Sequence, residues 1–331
     1  VRKDNWLNNL SKKQRMKKTT FWGFVALLIG GCAKEKDLEP SGLDPNWFVV
    51  TDSADPVDHL RYEIFQETGV PIFRNDTIGS MDRGLDALGQ PYIYYEILDV
   101  NYSITSDVEV ATYKLCEEDA PVMLALELMR DEVIPRLPKA LYPRCFLLVD
   151  QLNIDQTKNQ RGEATAYKGM MTTVAGRLHS IGEMSDEELA RWVAGITGEV
   201  ISEYLYSRCA GLLEEFYSKA EVIARDGETT VNLYEFRYDI REGGTSETEP
   251  EYKDWKEYGF LTYDTSQEIE TTEGKREYRT IGQRRDVETF MVEIMLNDET
   301  GFKSTYADYP LLLEKYDLLK AVWNKVKSGL Q

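Results

Sequence analysis

The chain has 331 residues and 42% of them are apolar, enough to bury the cores of roughly two domains at ~150 residues each, so it falls outside the disordered class. Its 39 Lys and Arg against 58 Asp and Glu give a net charge of −19, which repels a phosphate backbone and excludes nucleic acid as a partner. Four Cys, at positions 32, 116, 145 and 209, are too few for a disulfide scaffold and contain no C-x-x-C pair for structural zinc; two His, His59 and His179, leave little room for imidazole chemistry.

The chain opens with a polar leader, then Arg15-Met16-Lys17-Lys18, then the apolar run Phe21 to Ile29 and Gly30-Gly31-Cys32. An apolar stretch near ten residues is half of the ~20 that a membrane-spanning helix needs. With its basic flank and small residues ahead of a boundary, it reads as an export signal over residues 1–31, with 1–15 upstream of the true start. Ile29-Gly30-Gly31-Cys32 resembles a bacterial lipobox, which makes Cys32 a lipidated anchor. An ordinary signal peptide with an incidental Cys, or a buried apolar helix, is the alternative. Without residues 1–31, which hold seven of the Lys and Arg and one Asp, 32 basic and 57 acidic side chains remain, a net of −25. Residues 32–45 read as the lipidated Cys and a polar tether, in which Glu35, Asp37 and Glu39 alternate with Lys34 and Lys36. Cys116, Cys145 and Cys209 remain, an odd number, so at least one thiol stays unpaired.

From residue 46 the pattern is mixed α and β. Asp55-Pro56 offers an N-cap followed by Pro at the first helical position, and Val57, Leu60 and Ile64 recur at helical spacing, which predicts a helix over about 55–67. Residues 71–77 and 91–98 are β-branched and aromatic runs bounded by Gly, Pro and Asn, and read as strands. Val122, Leu126, Met129 and Val133 predict a helix over 118–135, ending at Pro135 and Pro138. Cys145 to Val149 is an apolar run of strand length, buried on both faces. Ser185-Asp186-Glu187-Glu188 has the form of a capping box, and a helix with the stripe Leu189, Val193, Ile196, Val200 and Tyr204 follows. The acidic stretch 241–258 reads as a solvated loop, and Leu312, Tyr316, Leu319, Trp323 and Val326 predict a closing helix over about 311–328 with a basic last turn. A subdomain boundary near 180 is compatible with this order.

Motifs for familiar chemistry are missing. No G-x-G-x-x-G, P-loop or G-x-S-x-G stands in the chain, so dinucleotide, nucleotide and α/β-hydrolase readings have nothing behind them. His59 and His179 lack an oriented partner in sequence and read as structural or surface residues before catalytic ones. Carboxylate pairs of the kind glycoside hydrolysis needs arise by chance among 58 acids, so a solvated face is the plainer reading.

The order of several weak blocks resembles one family. The lipobox, Asp58 to Phe65 with Gly69-Val70-Pro71-Ile72, Leu137-Pro138 leading into Phe146 to Asp150, Gly259 to Tyr263, Asp286-Val287-Glu288, and Tyr309-Pro310 with Lys315 are similar to the blocks of the Bacteroidota zinc metallopeptidase lipoproteins, the substrate import-associated zinc metallohydrolases. The resemblance implies an α+β, zincin-like metallopeptidase fold over 46–331 with a central active-site helix. The family's chemistry rests on H-E-x-x-H, two imidazoles one turn apart holding Zn²⁺ and a Glu polarising the attacking water. The matching stretch here is Gly198-Glu199-Val200-Ile201-Ser202, in which Glu199 alone survives and Gly198 and Ser202 are degenerate metal positions. Asp286 or Glu288 falls in the acidic third-ligand region. A helix-packing role for Gly198 and a hydrogen-bonded helix role for Glu199 are the plain structural alternatives.

The expectation is therefore an outer-membrane, lipid-anchored protein, on the periplasmic or the cell-surface face, with a metallopeptidase-like fold and a lost zinc site. It would bind a peptide or glycan ligand, or importer components, beside a nutrient importer, without catalysis and without a cofactor. Its 20 Tyr and 6 Trp suit contact surfaces, or serve as core. The alternatives are an active hydrolase whose zinc is held by Glu199, Asp286, Glu288 and one His, and a structural accessory lipoprotein.

Overall fold

The computed structural model describes residues 45–101, 110–156, 159–235, 239–264 and 277–330; the export signal, Cys32 and the tether to residue 44 lie outside them. The first helix, α1 (Pro56–Thr68), starts where the sequence places it. The Asp55 carboxylate accepts from the N–H groups of Val57 and Asp58 at 3.0 Å each, and the helix stops at Gly69, whose φ of +75° is a left-handed cap that glycine adopts without strain. The strand expected over 71–77 is shorter: only β1 (Ile72–Phe73) pairs with the sheet, and after a turn at Asn75 and Asp76 the chain enters a hairpin of β2 (Thr77–Leu85) and β3 (Pro91–Ile97).

Strand β4 (Val110–Leu115) leads into the helical stretch expected over 118–135. It divides into α2 (Asp119–Leu128), a π turn (Met129–Val133) and α3 (Ile134–Arg136). Pro135 has no N–H to give and its ring clashes with the carbonyl four residues back, so the turn before it widens. Strand β5 (Cys145–Gln156) is the longest of the sheet, followed by β6 (Asn159–Glu163), β7 (Ala166–Lys168) and β8 (Thr172–Ala175). β1 and β8 flank β5 in parallel, β7 closes that edge antiparallel to β8, and β4 and β6 pair antiparallel with the far half of β5.

The parallel half of the central sheet is buried on both faces. Phe146 and Leu148 point into a helical core running from Val57 to Trp323, whereas Cys145, Leu147 and Val149 point into a second core with Phe73, Leu98, Tyr167 and Val174. The apolar run 145–149 thus alternates between two cores, the two-sided burial its composition predicts.

After α4 (Leu178–Ile181), the capping box forms: Ser185 Oγ accepts from Glu188 N at 3.3 Å and the Glu188 carboxylate accepts from Ser185 N at 2.8 Å, opening the 23-residue α5 (Asp186–Arg208). The short α6 (Glu214–Ser218) precedes two small ribbons, β9 (Glu221–Ile223) with β10 (Thr230–Asn232) and β11 (Asp239–Arg241) with β12 (Glu277–Arg279), which close over a third cluster containing Leu233, Phe260 and Tyr278. Three helices finish the chain: α7 (Gln283–Leu296), α8 (Glu299–Thr305) and α9 (Pro310–Gly329). The architecture is mixed α+β, a central mixed sheet flanked by helices. Among the described residues, no helix is long and apolar enough to cross a membrane.

The β2–β3 hairpin runs against its own sequence pattern. Leu85, Leu88, Tyr92, Ile93, Tyr95 and Ile97 are all exposed, Leu88 at the turn by 85%. Side chains that bury so little area in the fold contribute little to its stability. The double substitution Leu85→Lys with Leu88→Lys is expected to leave stability within about 0.5 kcal/mol of the parent, read as an unchanged urea midpoint. A larger loss would mean that the hairpin tip packs in solution.

Candidate functional site

The middle of α5 carries the turn Gly198 to Ser202. This part of the helix is buried nearly all round, from Ile196 to Ser202, because the sheet edge lies on one side and α7 on another. Two glycines a turn apart admit those neighbours. A Cβ on Gly195 would lie 2.9 Å from Thr165 Cγ2, just ahead of β7, and one on Gly198 would lie 3.1 Å from both the backbone nitrogen and Cγ2 of Val292 on α7. The helix-packing reading of Gly198 is the one its surroundings bear out, and it accounts for a mid-helix glycine that otherwise costs about 1 kcal/mol relative to Ala.

Glu199 is 2% exposed. Its Oε1 accepts from the backbone N–H of Lys168 at 2.9 Å and from Arg284 Nη2 at 3.0 Å. Tyr167 pairs with Val174 and Gly169 N donates to Thr172 O, so the Lys168 N–H between them points away from the sheet, where an edge strand would otherwise leave a donor without a ladder partner. Glu199 satisfies it. Arg284, at the start of α7, also places Nε 2.9 Å from Glu203 Oε2, so one guanidinium bridges two carboxylates one turn apart on α5. Ser202 Oγ donates to the Glu199 carbonyl at 3.1 Å, an ordinary helix back-bond. The Lys168 ammonium donates to Gly169 O, and burial pulls its pKa below the usual lysine range.

The donor set at this turn does not fit a zinc ion. Gly198 offers no ligand, the Ser202 hydroxyl is turned to its own helix, and the Glu199 carboxylate is committed to a backbone N–H and a guanidinium, whereas a zinc site takes three or four N, S or O donors on one point. The cation between the α5 carboxylates is Arg284 itself.

The other carboxylates and imidazoles named in sequence are held separately. Asp286, one turn into α7, is fully buried: its Oδ2 accepts from Tyr234 OH at 2.5 Å and forms a close ion pair with Lys315 of α9, which is also fully buried. Lys315 Nζ donates as well to Gly259 O at 2.7 Å, and the rings of Phe216, Phe260 and Phe290 stand 4.6 to 5.1 Å from it. Burial raises the Asp286 carboxyl and lowers the Lys315 ammonium, each opposed by the other's charge. Gly259 is glycine of necessity, with φ +77° and a hypothetical Cβ 3.1 Å from Lys315 Cδ. Glu288 pairs with Arg285 three residues before it. His59 lies 2.7 Å from Asp52 and 3.4 Å from Glu63, and hydrogen bonding to Asp52 raises its pKa; His179 bonds Asp150 O at 2.8 Å beside Glu163. Among the described residues, no group of three or more His, Cys, Asp or Glu is placed to hold a metal, so the set Glu199, Asp286, Glu288 and a His is not assembled. Cys116, Cys145 and Cys209 are free thiols, and Cys32 lies outside the described residues.

Arg284, Lys168 and Tyr234 were not legible as site residues, because each meets its partner across long sequence separations with no local motif. Arg284-Arg285 directly ahead of Asp286 is the one local hint that cations gather at this end of α7. Comparison of the chain with protein-family models, with curated proteins and with solved structures finds no match to any of them.

Proposed function

We propose that this is a lipid-anchored outer-membrane protein that binds a peptide or glycan ligand, or a component of a nutrient importer, and has no zinc-dependent peptidase chemistry. The anchor rests on the basic flank, short apolar run and Ile29-Gly30-Gly31-Cys32. The importer setting and the zincin-like fold rest on the resemblance of the ordered blocks to the metallopeptidase lipoproteins. The loss of chemistry rests on one observation: the only retained H-E-x-x-H residue, Glu199, spends its carboxylate on the Lys168 N–H and the Arg284 guanidinium. A general base must face the proton it removes with a lone pair free to take it. A carboxylate neutralised by a guanidinium and turned onto a sheet edge is built to hold the edge strand against α5.

The test is the metal content of the full chain, purified from membranes without chelator and then titrated with Zn²⁺. Zinc well below one per chain and no sub-micromolar uptake is the expected result. One zinc per chain, retained at sub-micromolar affinity and lost on Glu199→Ala, would overturn the reading. Incorporation of labelled palmitate, abolished in Cys32→Ser, tests the anchor separately.

A further inference from the structure

At the other end of α7 from Arg284, an open groove of about 630 Å³ lies between the end of α3, the C-terminus of α7 and the second half of α9. That volume is in the range of small-ligand sites. Its floor is apolar and buried: Leu137, Ile294 and Trp323 are each under 10% exposed. Its rim is cationic: Arg136, Lys320 and Lys327 line it, and no Asp or Glu does, in a chain whose acids outnumber its bases 58 to 39. Arg136 comes from the end of α3, and Lys320 and Lys327 from α9.

Arg136 meets Glu132 and Lys320 meets Glu299 at 2.5 Å, with Glu299 also holding Lys303 at 2.8 Å; both carboxylates are more than 40% exposed, at a surface where an incoming anion can compete with them. Lys327 makes no ion pair among the described residues. The groove also holds hydrogen-bonding groups suited to a polypeptide backbone. Asn297 and Asn324 line it, and α7 ends there with its last carbonyls lightly bonded: Ile294 O accepts from the Asn297 N–H at 3.2 Å and Met295 O from Arg136 at 3.4 Å, each with a second lone pair to offer. A hydrocarbon anion such as a fatty acid has no N–H to offer those carbonyls, whereas a peptide does.

We infer that this groove binds a short acidic peptide, its carboxylates on Arg136, Lys320 and Lys327 and an apolar side chain over Trp323. The site is distinct from the Glu199 turn and stands whether or not that turn binds metal. The test uses the full chain in detergent and a fluorescein-labelled probe, acetyl-Glu-Leu-Glu-Leu-Glu, read by anisotropy. The same peptide with Gln for Glu is expected to bind at least about tenfold more weakly, the size of one charge-assisted contact. Lys327→Glu, an exposed position that leaves the Glu132 and Glu299 pairs intact, is expected to weaken the Glu probe by at least about tenfold and to leave thermal unfolding unchanged. Equal affinity for the Glu and Gln peptides, no effect of Lys327→Glu, or binding of dodecanoate with no binding of the Glu peptide would each overturn the assignment, the last by making the groove a lipid site.

Discussion

Lys315→Met is expected to cost about 3–5 kcal/mol of stability, the usual penalty for removing one partner of a fully buried ion pair. The pair has no exposed atom to share its loss with water: Lys315 and Asp286 are both 0% exposed. Among the described residues, taking away the ammonium leaves the Asp286 carboxylate with Tyr234 OH as its one donor and takes the Lys315 donor from Gly259 O. The substitution also gives the variant a pH dependence of predictable sign. Without Lys315, the Tyr234 hydroxyl is left to oppose the burial that already pushes the Asp286 carboxyl up, and the carboxyl rises further. Its folded pKa then stands above its unfolded value, so the folded state binds more protons, and stability falls as pH rises from the ordinary aspartate range through the raised value. Lys315→Met should therefore lose less in mild acid than at neutral pH. The double change Lys315→Met with Asp286→Leu should recover most of the loss, because no charge is left in the core. Urea denaturation of the three variants at pH 5 and pH 8 reads both effects. A loss under about 1 kcal/mol, or one that grows in acid, would mean that water reaches the pair.

Local signals carried the parts of the fold that local chemistry decides. Asp55-Pro56 capped α1, Ser185 to Glu188 capped α5, and the run 145–149 alternated into two cores, each because the residues that set the geometry are neighbours in sequence. The resemblance and the periodicity both passed over α7 as a helix. Val287, Phe290, Met291 and Ile294 do recur at helical spacing, but the helix begins on Gly282 without a side-chain cap and opens with Gln-Arg-Arg-Asp, so the segment reads as charged before it reads as amphipathic. The strand expected over 91–98 forms as β3, but its aromatic and β-branched run reports strand geometry and not which side is covered, and its side chains stand largely exposed. The two polar clusters could not be read at all: Glu199 meets Arg284 across 85 residues and Asp286 meets Lys315 across 29. Only the packing of α5, α7 and α9 creates those contacts.

Writing H-E-x-x-H into α5 by Gly198→His with Ser202→His is expected to destabilise the chain by about 2–6 kcal/mol and to yield no zinc site. Each change forces a large side chain into a packed position, at about 1–3 kcal/mol apiece. At Gly198 the obstruction is backbone: the first carbon of any side chain already stands 3.1 Å from the Val292 nitrogen, so an imidazole requires α7 to move away from α5. The gain of up to about 1 kcal/mol from replacing a mid-helix glycine offsets only part of this. With α7 in place, Arg284 also lies between Glu199 and Glu203, a positive charge beside the intended metal and bonded to the carboxylate meant to polarise its water. Gly198→Ala separates the causes, since it adds the crowding carbon without the ring and should cost less than about 1 kcal/mol if Val292 can yield a few tenths of an ångström. Thermal unfolding with and without Zn²⁺ decides between the two readings of this frame. A double variant whose unfolding temperature rises on adding zinc would mean that α5 and α7 leave the space a metal site needs and that only the imidazole ligands are lacking. A variant that is destabilised and indifferent to zinc would mean that Gly198, the close approach of α7 and the Arg284 bridge form one packing solution with no room for a metal.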